Sequence, residues 1–159
     1  PPSFRLLLAG RVSSASYSRQ VSAAVRRHGL DAHVQFLGAV SDMRELYAAT
    51  DVVLMPSRTE ASPIAALEAL SCGLPVLISA AANTDAVLIP GHHGWQVDSP
   101  TVQTVADALA EILRSTRPER VDMGAASRAH VVDRFTCRRV TADFVALYGD
   151  LMRNRAATT

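Results

Sequence analysis

Apolar runs and amphipathic stretches alternate along the first hundred residues. Residues 4–9, apolar apart from Arg5, read as a buried strand that ends at Gly10. Residues 17–28 place Val21 and Val25 on one helical face and stop at Gly29, which predicts a helix. Residues 34–37 predict a second strand closed by Gly38, and a short helix through Met43, Leu46 and Tyr47 follows, with Ser41 or Asp42 to cap it. Residues 51–55 are apolar after Asp51, as suits a strand covered on both faces. A loop over 56–62 leads into a predicted helix over 63–72, stopped by Gly73. A fourth strand follows over 75–79, and a short edge strand over 95–97 comes after turns at Gly91 and Gly94. Beyond Pro100 the pattern is helical, with breaks near Pro118 and Phe135. The last helix, from Thr136 to about Arg153, carries Val140, Phe144, Leu147 and Leu151 at helical spacing.

Strand, helix, strand units with short connections imply an α/β fold: a mostly parallel sheet flanked by helices, followed by a helical tail. Ligands of such sheets gather on the loops that leave the carboxyl ends of the strands. Those loops are residues 10–16, 38–41, 56–62 and 79–85.

Composition narrows the picture. The chain has 159 residues, 48% of them hydrophobic and 19% charged, which suits one globular domain and argues against disorder. Its net charge of +1 gives no electrostatic case for nucleic acid as a partner. All 16 cationic side chains are Arg; Lys is absent. Cys72 and Cys137 have neither metal-like nor redox-like spacing, and Cys72 is expected to pack within an apolar helix. With no apolar stretch of membrane-spanning length and no signal-peptide pattern, a cytoplasmic protein with reduced thiols is expected. The chain opens on Pro1 rather than Met, so it is expected to be a piece of a longer protein.

The chemistry concentrates in residues 56–70, PSRTEASPIAALEAL. Pro63 suits the first position of a helix, where its missing N–H has no helical partner, and Ser62 is then the natural N-cap. The amides of Ile64 and Ala65 are expected to be free donors at a positive helix end, a site for phosphate. Glu68 lies on the second turn of a helix that is otherwise nearly all apolar and is expected to be buried, where a carboxylate needs partners. A ribose diol would supply them, and Glu60 could reach sugar hydroxyls beyond the phosphates. On spacing alone, both glutamates read first as solvated surface residues, because two glutamates at any fixed interval are common.

Five pieces in register carry a resemblance. They are Val34-Gln35-Phe36-Leu37-Gly38, the run from Leu46 through Asp51 to Ser57, and Glu60 with Glu68 in the pattern Glu-x7-Glu continued by Ala69 to Val76. The turn from Gly91 to Val97 and the ending Arg134-Phe135-Thr136 with Leu147-Tyr148 complete them. From Leu6 to Tyr148 the chain resembles the C-terminal, donor-binding domain of glycosyltransferase family 4, retaining enzymes of the GT-B architecture. The resemblance implies a Rossmann-like domain over residues 1–135, lacking the family's first strand, and a helix over 136–159 that packs back toward an N-terminal acceptor domain. It implies a hexosyl-transfer type enzyme in which Glu60 contacts the donor sugar and is the catalytic candidate, while Glu68 holds the ribose. Residues Ala61, Ser62, Pro63, Ile64 and Ala65 would cradle the diphosphate, chiefly by the amides of Ser62, Ile64 and Ala65. Gly38 through Val40 would receive the base through backbone. No cofactor and no metal are implied, since the nucleotide-diphosphate sugar is the donor substrate. The implied partners are that nucleotide sugar and the N-terminal domain of the same enzyme, with peripheral membrane association through that other half allowed and nucleic acid excluded.

The chain departs from the family in several places. The family's domain begins one strand earlier and carries there an Arg and a Lys that stabilise the leaving diphosphate; this chain starts beyond that point. Alone it is expected to bind weakly and catalyse little. Ala61 and Ser62 stand where the family often has glycine and an aromatic, and residues 81–85 (AANTD) replace a glycine-rich turn followed by glutamate. Asn83 and Asp85 are expected to cap the short helix after them. His92 and His93, between two glycines, are expected to be exposed turn residues, Trp95 a packing residue, and Arg138 and Arg139 a solvated face. Two other functions remain open: a non-enzymatic module that binds nucleotide sugars, and one half of a nucleotide-sugar epimerase.

Overall fold

The computed structural model describes residues 4–156. Their order is β1 (Leu6–Ala9), α1 (Ala15–Arg27), β2 (Val34–Gly38), α2 (Met43–Ala48), β3 (Val53–Met55) and α3 (Ile64–Ser71). There follow β4 (Val76–Ser79), a 3-10 turn (Thr84–Ala86), β5 (Gly94–Val97), α4 (Val102–Arg114), α5 (Arg117–Arg134) and α6 (Cys137–Ala156). The alternation read from the sequence is thus present, with boundaries shifted by one to three residues. The chain divides into two compact units after Leu46.

In the first unit β1 and β2 pair in parallel, Leu6 beside Val34 and Ala9 beside Gly38, with a register shift after Leu8. Helix α1 makes the crossover. Ser14 caps it by accepting the Tyr17 amide at 3.3 Å, and Gly29 ends it in the left-handed region at φ 64°. At the carboxyl ends of the two strands the Gly10 amide donates to the Gly38 carbonyl at 2.7 Å, so the loops after β1 and β2 leave side by side. Asp42, rather than Ser41, accepts the Arg44 amide at the start of α2. No described side chain of this unit is fully buried.

In the second unit β3, β4 and β5 form a parallel sheet in that order, so β5 is an edge strand as expected. All four residues of β4 are buried, which explains its uninterrupted apolar run. The main apolar cluster is Leu77, Trp95, Val97 and Ile112, with Val52, Leu54, Ala108, Leu109 and Met123 packed against it. Trp95 is a packing residue, and its indole N–H also donates to Glu111 at 2.9 Å. Helices α4 and α5 both begin with reciprocal capping boxes, Thr101 with Thr104 and Thr116 with Glu119. The second of these places the expected break at Ser115–Thr116, just ahead of Pro118 inside the first turn of α5.

Helices α3 and α5 meet at two glycines. Gly73 ends α3 at φ 78°, and Gly124 of α5 comes so close that a Cβ on it would lie 2.0 Å from the Gly73 carbonyl oxygen. The Arg128 guanidinium donates to the Ser71 carbonyl across the same contact. On α6, Val140, Phe144, Leu147, Tyr148 and Leu151 are exposed. Among the described residues no helix is long and apolar enough to cross a membrane.

Candidate functional site

The loop between β3 and α3 is held from beneath. Ser79, fully buried at the carboxyl end of β4, donates its hydroxyl to the Ser57 carbonyl. The Glu-bearing loop is therefore tied to the strand ends where ligands of parallel sheets sit. Sequence reasoning missed Ser79; the available signal was one hydroxyl closing an otherwise apolar strand.

Glu60 folds back over its own loop. One carboxylate oxygen, Oε1, accepts the amides of Ala61 at 2.9 Å and Ser62 at 3.1 Å. Two successive amides converging on one anionic oxygen form an anion-holding concavity, here filled by the protein's own carboxylate. This corrects the expected cap. Ser62 does not cap α3; Pro63 occupies the N-cap position at φ −81° and ψ 58°, without a side-chain bond, and the helix starts at Ile64. A proline at N-cap rather than one position later leaves Ser62 outside the reach of the first helical amides.

The expectation of free amides is also revised. The Ile64 amide donates to the Ser62 carbonyl at 2.9 Å, and the Ser62 amide is held by Glu60. The Ala65 amide has no acceptor among the described residues. Pro63 is buried, whereas Ala61, Ser62 and Ala65 are exposed and Ile64 is 55% exposed.

Glu68 is not buried. Helix α3 covers only the face of Ala66, Ala69 and Leu70. Residues three and four apart share a side of a helix, so Glu68 lies with Ile64 and Ala65 on the opposite, open side. Cys72, four residues further, is exposed for the same reason, and not packed as expected. The buried residue beside Glu68 is Tyr47, 5% exposed, whose hydroxyl lies 3.0 Å from Glu68 Oε2 and 3.4 Å from the Ala65 carbonyl. Burial first, then the hydrogen bond and charge of Glu68, push the Tyr47 phenol up to about 12. The sequence marked Tyr47 as part of a short helix and of the family-like run that begins at Leu46; nothing in its spacing linked it to Glu68.

Gly38 and Val40 belong to the first unit. Gly38 closes β2 at φ 66° and accepts the Gly10 amide; Gly38 and Val40 are both half-buried. The loop over 79–85 and the Gly91–Gly94 turn carry corrections. Asn83 stands before the 3-10 turn but does not cap it with its side chain. Its amide group instead bonds the Leu88 backbone, as donor and as acceptor, and donates to Gln96 at 2.7 Å. Asp85 and Ala86 follow at φ 55° and 52°, a left-handed pair without glycine. His93 is buried, 6% exposed, rather than an open turn residue. Its Nδ1 accepts the Ile89 amide, and its ring lies 4.4 Å from that of His130, which in turn reaches the Ala86 carbonyl. The Gly91–Gly94 turn points His93 inward because the His93 backbone is itself bonded to Ile89 and Val76. Among the described residues no three His, Cys, Asp or Glu gather as a metal cluster would.

In parallel α/β sheets, ligands gather on the loops at the carboxyl ends of the strands, the position of the loop that carries Glu60. The chain belongs to the glycosyl transferases group 1 family, whose model matches residues 1–130. It is 30% identical over 161 residues to the D-inositol 3-phosphate glycosyltransferase of Stackebrandtia nassauensis, covering 99% of this chain and 36% of that protein. To the enzyme of the same name from Mycobacterium avium it is 31% identical over 156 residues, covering 96% of this chain and 37% of that one. The chain thus spans about a third of the length of these relatives.

Among solved structures, Anabaena HepE in complex with UDP superposes with a TM-score of 0.85 at 23% identity, over 94% of this chain and 42% of that one. Sucrose-phosphate synthase from Thermosynechococcus elongatus gives 0.80 at 26% identity, over 94% and 39%. The fold is a Rossmann-like half of the GT-B architecture with a helical tail.

Proposed function

We propose that this chain is the donor-binding half of a retaining glycosyltransferase that takes a hexosyl group from a nucleotide-diphosphate sugar. The observation that carries the reading is the pair of amides at Ala61 and Ser62 already holding a carboxylate oxygen at the mouth of α3. A site that stabilises one anion through backbone donors is suited to a phosphate oxygen, which would replace the Glu60 carboxylate there. Glu60, displaced, is free to meet the donor sugar's hydroxyls. Glu68, on the open side of α3, would accept the ribose diol, with the Ala65 amide as a further phosphate donor.

Relatives support this choice of ligand: Anabaena HepE has been solved with UDP and with UDP-glucose. The rest of the enzyme would supply the acceptor site and the cations that stabilise the leaving diphosphate, and the apolar side of α6 would turn back toward that half. Such an enzyme would work without a metal ion in the cytoplasm, and this chain alone would turn over little.

The test is donor kinetics in the full-length enzyme. Glu60→Ala is expected to lower kcat, and Glu68→Ala to raise KM for the donor. Each loses a charged hydrogen-bonding group worth about 1.5–3 kcal/mol, or roughly 10- to 150-fold. Unchanged transfer in both variants rejects the assignment.

A further inference from the structure

Glu68 presents a physical problem for the reading just given. A glutamate on the open side of a helix has three rotatable bonds and no packing to choose among their rotamers. A carboxylate meant to grip two adjacent hydroxyls has to be held in one orientation before the ligand arrives. Among the described residues, the side-chain hydrogen bond that holds it is the one from Tyr47.

Three observations give that contact weight. Tyr47 is 5% exposed, so its ring is fixed by packing, whereas Glu68 is exposed. The phenol has one proton and two acceptors in reach, Glu68 Oε2 at 3.0 Å and the Ala65 carbonyl at 3.4 Å; the shorter, charge-assisted contact takes the proton. The phenol stays protonated throughout the ordinary pH range, so it donates and never repels the carboxylate. Held in this way, Glu68 keeps Oε1 and one lone pair of Oε2 as acceptors, the two a vicinal diol needs.

We infer that Tyr47 is a positioning residue: it orients the Glu68 carboxylate toward the donor's ribose diol and thereby sets the preference for ribonucleotide over deoxyribonucleotide donors. This rests on the reading of Glu68 as the ribose ligand.

The experiment uses the full-length enzyme, the nucleotide sugar it turns over, and the 2′-deoxy form of that donor. Tyr47→Phe removes one hydroxyl and keeps the ring. The KM for the ribonucleotide donor should rise by about 5- to 10-fold, with the change on KM rather than kcat, and the deoxy-to-ribo KM ratio should fall by a similar factor. In a Glu68→Ala background the same substitution should change neither value. A role confined to packing would lower the melting temperature of Tyr47→Phe and leave the ratio at its wild-type value; that result overturns the inference. Should Tyr47→Phe not fold, Glu68→Asp reads the link from the other side. Its carboxylate is one methylene short of the hydroxyl, and a wild-type ratio in that variant overturns the inference equally. Glu68→Ala separates the two layers. If it leaves KM and ratio unchanged, Glu68 is not the ribose ligand and the underlying reading falls. If it collapses the ratio while Tyr47→Phe does not, only the role of Tyr47 falls.

Discussion

Replacing Gly124 by alanine sets two well-known effects against each other. Gly124 lies inside α5, where alanine is the better helix former by about 1 kcal/mol. Propensity alone therefore predicts a more stable protein. The added methyl, however, would sit 2.0 Å from the Gly73 carbonyl oxygen and 2.9 Å from its carbon, where carbon contacts settle at roughly 3.5 Å. Neither neighbour is a flexible side chain; both belong to the backbone that ends α3. To admit the methyl, the helices must part by about 1–1.5 Å, loosening the packing of Ala66, Ala69 and Leu70, which are fully buried. Overpacking of this kind costs about 1–3 kcal/mol or more, and it outweighs the propensity gain. We expect a net loss of about 1–2 kcal/mol, read in urea as a midpoint lower by roughly 0.5–1 M at unchanged slope. Gly149→Ala on α6 is the control. Its nearest neighbour is the movable Arg153 side chain at 3.4 Å, so propensity should prevail and the midpoint should rise slightly. A Gly124→Ala protein as stable as the parent would refute the close approach of α3 and α5.

Two further outcomes follow from buried polar contacts. Burial first, then the charges of His130 and His92, holds His93 below its ordinary 6.5. Its neutral form is thus favoured in the folded state, and the associated stability is complete above about pH 6.5. It is lost as pH falls below that through the folded value. Melting temperature should therefore drop between pH 7 and 5, and His93→Gln should flatten that drop; equal slopes would refute it. Trp95→Phe loses the bond to Glu111 and part of the ring volume, and should cost about 1–3 kcal/mol in the same urea assay.

Element type and order were legible because the strands are short, largely apolar runs closed by residues such as Gly10, Gly38, Pro56 and Ser79, and the helices have caps or stops. Position within the helix was not. Ser62 and Pro63 fit a cap followed by a first residue, yet the chain enters α3 one residue later, and a shift of one moves the hydroxyl away from the amides it should cap. Composition misled about Glu68: an alanine- and leucine-rich helix looks buried all round, but three small or branched residues suffice to cover one side. His93 was hidden for the opposite reason, since flanking glycines signal a turn without saying which way the turn faces. Tyr47 and Ser79 act across 21 and 22 residues of sequence, on Glu68 and Ser57 respectively, and no local pattern encodes such pairings.

The first unit contains β1, α1 and β2 without one completely covered side chain, whereas the second carries the dense centre around Leu77 and Trp95. Folding free energy is therefore distributed unevenly along the chain, and residues 4–46 own the smaller share. Anything that binds only the folded form of that segment would therefore stabilise it by mass action, in proportion to its affinity.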